Sequence, residues 1–367
     1  MKLTFYLLIF AIIIFASCER EIIEKEIEIE IEKQFSWQLD SRFLHDSKIQ
    51  LNSYTDDENL HTLGVKYFST LKPNRFDTSK QYFEHALISS DYTMNYKWPI
   101  SSRLFVDIEN SFVRFHASRD PVFHNGKFYL SMKDFDSLYT NIQMPKYFNG
   151  DALGLNNQLQ CLIPYSRYID ESRTSINNNM YFALIDLELY NENPDLIDTL
   201  SSYRFTIDQT SPYYQYLVSI TTIDKNFFIT YTNKTFKVTS DRQVTEVFNE
   251  PIFRIIKLDN TLFGITDDAL YKSDDQGNSW HKISAVQSFM SDIHYKVIDN
   301  EVFGFYYSQL FKIDFGKNEI KEIVNDGLEG HRITSICKFK DKIYVTTFSG
   351  VFYKEWEKFL TFKEIPE

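Results

Sequence analysis

The chain has 367 residues, 51 acidic against 39 basic, and a formal net charge of −12. A surface this acidic repels a phosphate backbone and gains nothing from counterion release, which argues against nucleic acid as a partner. Aromatic residues make up 17% of the chain, with 33 Phe and 24 Tyr, and together with Val and Ile they favour pleated, half-buried positions.

At the N-terminus Lys2 supplies one positive charge, and Leu3 to Ala16 is almost wholly apolar. A helix needs about 20 apolar residues to cross ~30 Å of hydrocarbon. This run is too short for that and fits the hydrophobic region of a secretory signal over residues 1–17. Phe15-Ala16-Ser17-Cys18 resembles the signal of bacterial lipoproteins, in which small residues precede a cysteine that is lipidated after cleavage. Phe15 departs from that pattern, which prefers an aliphatic residue there. The resemblance implies lipid on Cys18 and attachment to a membrane through an N-terminal anchor. The alternative is an ordinary signal peptide cleaved nearby, with Cys18 incidental. Glu19 to Gln34 is rich in acids, with strict Ile/Glu alternation from Ile27 to Glu32. It has too little apolar surface to build a core, so residues 18–34 read as the lipidated cysteine and a charged tether. An acidic run directly after such a cysteine also resembles the export signal of surface lipoproteins in Bacteroidetes-type bacteria. That implies the cell envelope, as an outer-membrane lipoprotein on the surface or the periplasmic face.

No Pro/Gly/Ser linker divides residues 35–367, which therefore read as one domain. Lys48 to Tyr54 and Leu60 to Phe68 are strand-like. Asn125-Gly126 opens a further run ending near Leu138-Tyr139, and Asn179 opens another ending at Tyr190. The pattern is clearest in the C-terminal third. Polar turns at Lys225-Asn226, Asp259-Asn260, Asp299-Asn300 and Asp341-Lys342 each open an apolar, aromatic-rich run. Those runs end at Phe236, Tyr271, Phe311 and Phe352, which lie 10, 11, 11 and 11 residues beyond Asn226, Asn260, Asn300 and Asp341. The runs at Asn179 and Asn125 then count as a fifth and a sixth copy. A period near 40 built from short strands predicts an all-β chain, a β-propeller of four-stranded antiparallel sheets. Seven blades fit best, six to eight being allowed, because about 335 residues shared by seven gives ~48 each. Ring closure would bring Phe35–Leu39 beside Phe359–Ile365. Cys161 and Cys337 fall at inward-facing positions of different blades and read as two unpaired core thiols.

One motif carries a family resemblance. Ser273-Asp274-Asp275-Gln276-Gly277-Asn278-Ser279-Trp280 resembles the Asp-box of the BNR type, found in sialidases, sortilin-type receptors and photosystem-assembly propellers. The resemblance places it in the turn between the third and fourth strands of a blade. Its chemistry is structural: Asp275 accepts from turn amides, Gly277 takes a positive φ, Ser273 and Ser279 complete the turn, and Trp280 packs on the blade. One carboxylate lacks the several oxygen ligands that a calcium site needs, so no metal is assigned.

Sialidase chemistry receives little support from the residues. Phe253-Arg254-Ile255-Ile256 matches the Phe/Tyr-Arg-Ile-Pro motif of those enzymes only in part, since Ile256 replaces the proline. Arg254 then reads as a solvent-facing strand residue. The eight histidines are scattered singly, and no metal-ligand, nucleophile-elbow or phosphate-loop motif occurs. No catalytic residue and no cofactor are assigned. The sequence thus supports a lipid-anchored propeller acting as a non-enzymatic binding scaffold for an unknown protein or glycan ligand. Its alternative is a glycan-active hydrolase of sialidase-like architecture.

Overall fold

The computed structural model of the chain describes residues 217–363 without a break. Before them it describes residues 37–43, 49–55, 59–64, 67–73, 81–87, 112–116, 127–131, 142–143, 154–158, 160–167, 180–190 and 193–207. The signal, Cys18, the tether, Asn125, Tyr139 and Asn179 lie outside the described residues.

These residues form seven sheets. Blade 1 is the antiparallel meander Gln50–Thr55, Leu60–Gly64, Tyr67–Pro73 and Gln81–Leu87. Blade 4 runs Leu217–Ile223, Asn226–Tyr231, Thr235–Val238 and Val244–Phe248. Blade 5 runs Arg254–Leu258, Thr261–Ile265, Ala269–Ser273 and His281–Ala285. Blade 6 runs His294–Ile298, Glu301–Tyr306, Gln309–Asp314 and Glu319–Ile323. Blade 7 takes Ile333–Phe339, Lys342–Thr347 and Gly350–Glu355, with Gln38–Leu39 from the other end of the chain as its fourth strand. The first strands of blades 4, 5, 6, 7 and 1 pack on one another in that order, which makes them the inner strands of a ring. The chain is a β-propeller, as the repeat predicts.

Two blades depart from the simple four-stranded plan. Blade 3 has five strands, because Ile142–Gln143 and Gly154–Leu155 both pair with Gln160–Arg167 before the chain continues through Tyr181–Tyr190 and Asn193–Thr206. Blade 2 is a pair, Phe112–His116 with Lys127–Ser131, and it is parallel, unlike the four-stranded antiparallel sheet expected of a blade. The copy expected to open at Asn179 also needs correction. Tyr181–Tyr190 is one continuous strand, paired along its length with the 14-residue Asn193–Thr206, so no turn divides it.

The four clear repeats fold for an identifiable reason. In each, the first two strands are joined by two residues, as the pairs Ile223↔Asn226, Leu258↔Thr261, Ile298↔Glu301 and Phe339↔Lys342 show. The first turn residue has positive φ every time: Asp224 at 52°, Asp259 at 53°, Asp299 at 50° and Lys340 at 57°. Three of the four are Asp, whose short polar side chain tolerates that conformation. Phe236, Tyr271, Phe311 and Phe352 all lie on third strands, in the middle of their sheets. Middle strands are covered on both faces by neighbouring blades, so they read as continuous apolar runs instead of alternating ones. Asn226–Tyr231 is buried along its whole length. Phe227 joins the core between blades 3 and 4, and Phe228 the core between blades 4 and 5. The apolar cores therefore sit between blades, several small ones in place of one large one.

Closure involves more than a strand. Gln38 and Leu39 pair with Tyr353 and Phe352, and the Trp37 ring meets Phe359 edge-on at 5.9 Å. Beyond Phe359 the tail crosses to blade 6, where Phe362 bridges Ile323. Cys161 and Cys337 are buried and unpaired, on blades 3 and 7. Among the described residues, no helix is long and apolar enough to cross a membrane.

Candidate functional site

The antiparallel meanders put two kinds of connection on opposite ends of the ring. First–second and third–fourth turns share one face; second–third turns and the loops between blades share the other.

The Ser273–Trp280 segment is the third–fourth turn of blade 5, where the sequence places it. Asp275 accepts from the Asn278 and Ser279 N–H groups at 3.0 Å each, and from the Ser273 and Ser279 hydroxyls at 2.8 and 2.6 Å. Partial burial opposes its ionisation, but these donors outweigh burial and hold the carboxyl down at about 2. Ser273 Oγ in turn accepts from the Gly277 N–H at 2.8 Å. Gly277 has φ +82°, and a Cβ there would stand 2.5 Å from the Phe228 ring of blade 4. From the same blade Lys237, nearly buried, donates to the Gln276 carbonyl and to Asn278 Oδ1, each at 2.9 Å. Trp280 is half-buried, edge-on to Phe228 and packed over Gly264. A fainter version of the turn occurs in blade 4. The Thr239 hydroxyl donates to Asp241, the Gln243 N–H donates to Thr239 Oγ at 3.2 Å, and Arg242 has φ +72°. Thr239 and Asp241 keep the hydroxyl–carboxylate pair without the glycine, so the sequence pattern misses it.

Arg254 is not the solvent-facing residue expected. It sits in the seam between blades 5 and 6, half-buried, where Nε donates to the Ile293 carbonyl at 2.9 Å and Nη1 to the Phe253 carbonyl at 3.0 Å.

The opposite face carries a cluster that sequence reasoning missed. Tyr307 lies in the two-residue turn between the second and third strands of blade 6, and Phe348 in the equivalent turn of blade 7. Arg332 ends the loop between these blades. Its guanidinium carbon stands 5.4 Å from the Tyr307 ring centroid and 5.6 Å from that of Phe348. Both rings are open to solvent, 58% and 42% exposed, in contrast to the buried aromatics of the blades. Tyr307 holds φ +50°, a conformation rare for a bulky side chain. The Ile333 N–H holds its carbonyl at 2.7 Å, and Asn325 Nδ2 holds that of Ser308 at 2.8 Å. The Phe348 N–H donates to the Arg332 carbonyl at 3.2 Å, which ties the second turn to the same loop. Tyr306 meets Tyr307 edge-on at 4.6 Å. Burial, then Tyr307 and Asp292, push the Tyr306 hydroxyl above its ordinary range, while Arg332 pulls the other way. The only local signals are the Tyr306-Tyr307 pair at a turn and Phe348 before Ser349-Gly350.

Among the described residues, no group of three or more His, Cys, Asp or Glu side chains is arranged to hold a metal ion. No protein-family model matches the sequence, and no curated protein matches it. Similar solved structures include three of low identity. One is PorZ, a bacterial surface component of the type-IX secretion system of Porphyromonas gingivalis, at 9% identity and TM-score 0.41, covering 90% of this chain and 39% of PorZ. A second is the extracellular domain of BT4673 from B. thetaiotaomicron, at 13% identity and TM-score 0.41, covering 90% of this chain and 44% of that one. A third is a catalytically inactive virginiamycin B lyase from Staphylococcus aureus, solved with quinupristin, at 10% identity and TM-score 0.45, covering 87% and 98%. The chain thus spans less than half the length of the first two.

Proposed function

We propose that this chain is a lipid-anchored propeller of the bacterial cell envelope, a non-enzymatic scaffold that presents one face to a protein or glycan. The observation that carries this reading is the Tyr307–Arg332–Phe348 cluster. Two solvent-exposed aromatics here flank a guanidinium on turns fixed by three backbone-directed hydrogen bonds. A rigid aromatic and arginine patch has the composition of a binding hot spot. The Phe15-Ala16-Ser17-Cys18 signal supports the envelope and the anchor. The Asp-box is scaffold in this reading, since the donors to Asp275 come from its own turn. The enzyme alternative draws no help from Arg254, whose Nε and Nη1 donate to backbone carbonyls. A panel of fluorogenic glycosides tests the choice: no turnover is expected, and sustained release of fluorophore by pure protein would overturn the scaffold reading.

A further inference from the structure

We propose that Tyr307, Arg332 and Phe348 form a subsite for a sugar ring bearing a carboxylate, a uronic or sialic acid residue within a glycan. This rests on the binding-scaffold reading and names its ligand class. Three observations converge on it.

The first is charge. The chain is acidic overall, and many of its described cations are matched to carboxylates: Lys257 to Asp224 at 2.7 Å, Lys354 to Asp326 at 2.8 Å, Arg242 to Asp186 at 2.9 Å. Arg332 is exposed and contacts rings instead of a carboxylate. An arginine fork matches a carboxylate in bidentate fashion, and two rings against it hold it in place before any ligand arrives.

The second is shape. An acidic pyranose carries an apolar C–H face and a carboxylate on one rigid ring. The cluster offers an exposed aromatic surface with a guanidinium carbon 5.4 Å from its centre, so one sugar can use both.

The third separates a sugar from a peptide. A peptide added along a turn or strand edge would draw on backbone groups. Here the Tyr307, Ser308 and Arg332 carbonyls and the Phe348 N–H are already engaged within the protein. Side chains are left to make the contacts, and they are the types that recognise an acidic sugar.

The test is calorimetric titration of the folded protein with trigalacturonic acid, its methyl-esterified counterpart, 3′-sialyllactose and lactose. At least one acidic saccharide should bind, at least tenfold more tightly than its uncharged partner. Arg332→Gln should abolish that preference, and Tyr307→Ala should weaken binding of charged and uncharged forms alike, with thermal melts confirming that both variants fold. Equal affinity for charged and uncharged forms, unchanged binding by Arg332→Gln, or no binding of either acid overturns the proposal. Binding of neutral saccharides alone would overturn it while leaving the scaffold reading intact. Cleavage of a saccharide during titration would instead overturn the scaffold reading.

Discussion

Asp275 and Tyr307 illustrate two opposite uses of an unusual residue. Asp275 accepts four hydrogen bonds in its turn, and its folded pKa of about 2 lies below the ordinary carboxylate value. Folding therefore favours the ionised form. The stabilisation is complete above the unfolded pKa and is lost as pH falls from about 4 toward 2. Asp275→Ala should lower stability by about 1 kcal/mol at neutral pH, because the exposed amides it leaves behind regain water. The variant should also lose less stability than the parent between pH 4 and 2, as read from urea midpoints across that range. Ligand affinity should not change, since the turn lies on the face away from Tyr307; loss of binding at unchanged stability would make this turn part of the site. Tyr307 is the reverse case, with a strained backbone in place of a satisfied one. Left-handed backbone at a non-glycine residue costs on the order of 1–3 kcal/mol and tends to persist at functional sites. Tyr307→Asn, which tolerates φ +50°, should raise thermal stability slightly while removing the ring from the proposed binding face. A marked loss of stability would mean that the ring itself supports the fold.

At the scale of the blade, the Ser273–Trp280 turn acts as a clasp between neighbours, and its glycine is the sensitive point. Gly277→Ala meets two penalties at once: positive φ and a Cβ 2.5 Å from the Phe228 ring. It should cost about 2–4 kcal/mol, from overpacking and left-handed strain together. Equilibrium unfolding in guanidinium would measure it, and a cost below 1 kcal/mol would mean that Phe228 moves aside freely. This turn was legible in sequence because hydroxyl, carboxylate, glycine and tryptophan are all present at fixed spacing. The blade 4 turn at Thr239–Gln243 was not, because Arg242 holds the positive φ that a glycine would advertise. The same contrast explains the repeats. Blades 4 to 7 could be read because each joins its first two strands by a two-residue turn and carries an aromatic on its third strand, buried in three of the four. Blade 3 could not, because an apolar run after Asn179 fits two short strands or one long one equally well, and the long partner Asn193–Thr206 decides the matter through pairing distant from the turn. The proposed binding face was illegible for a simpler reason. Tyr307, Arg332 and Phe348 come from two turns and a loop, and only the stacking of blades 6 and 7 brings them together.

For the whole molecule, the ends of the chain matter more than their length suggests. Each blade touches only its neighbours, so an open ring would expose two unpartnered blade faces, and closure removes both. The closing contact is small in strand terms, two residues paired with Phe352 and Tyr353. Its weight lies in Trp37, which is 4% exposed within the core that joins blades 6 and 7. The Trp37 N–H donates to the Asp326 carbonyl at 3.0 Å, and the Asp40 N–H to the Val351 carbonyl at 2.8 Å, so both sides of the pair are fastened. Upstream, the proposed lipid on Cys18 concerns location alone. Cys18→Ser should release the protein from membrane fractions without changing its melting temperature, and full retention after signal cleavage would end the anchor reading. Trp37→Ala should behave in the opposite way. Loss of transfer energy and the cavity left beside Phe359 should together cost about 3–5 kcal/mol. Removing residues 19–40 while keeping the signal and Cys18 should cost more, since strand hydrogen bonds are lost with the ring, and should broaden the unfolding transition as blades 1 and 7 come apart. A truncated protein that melts at the parent temperature, with the parent's cooperativity, would mean that the propeller closes through its remaining blades and does not need the N-terminal strand.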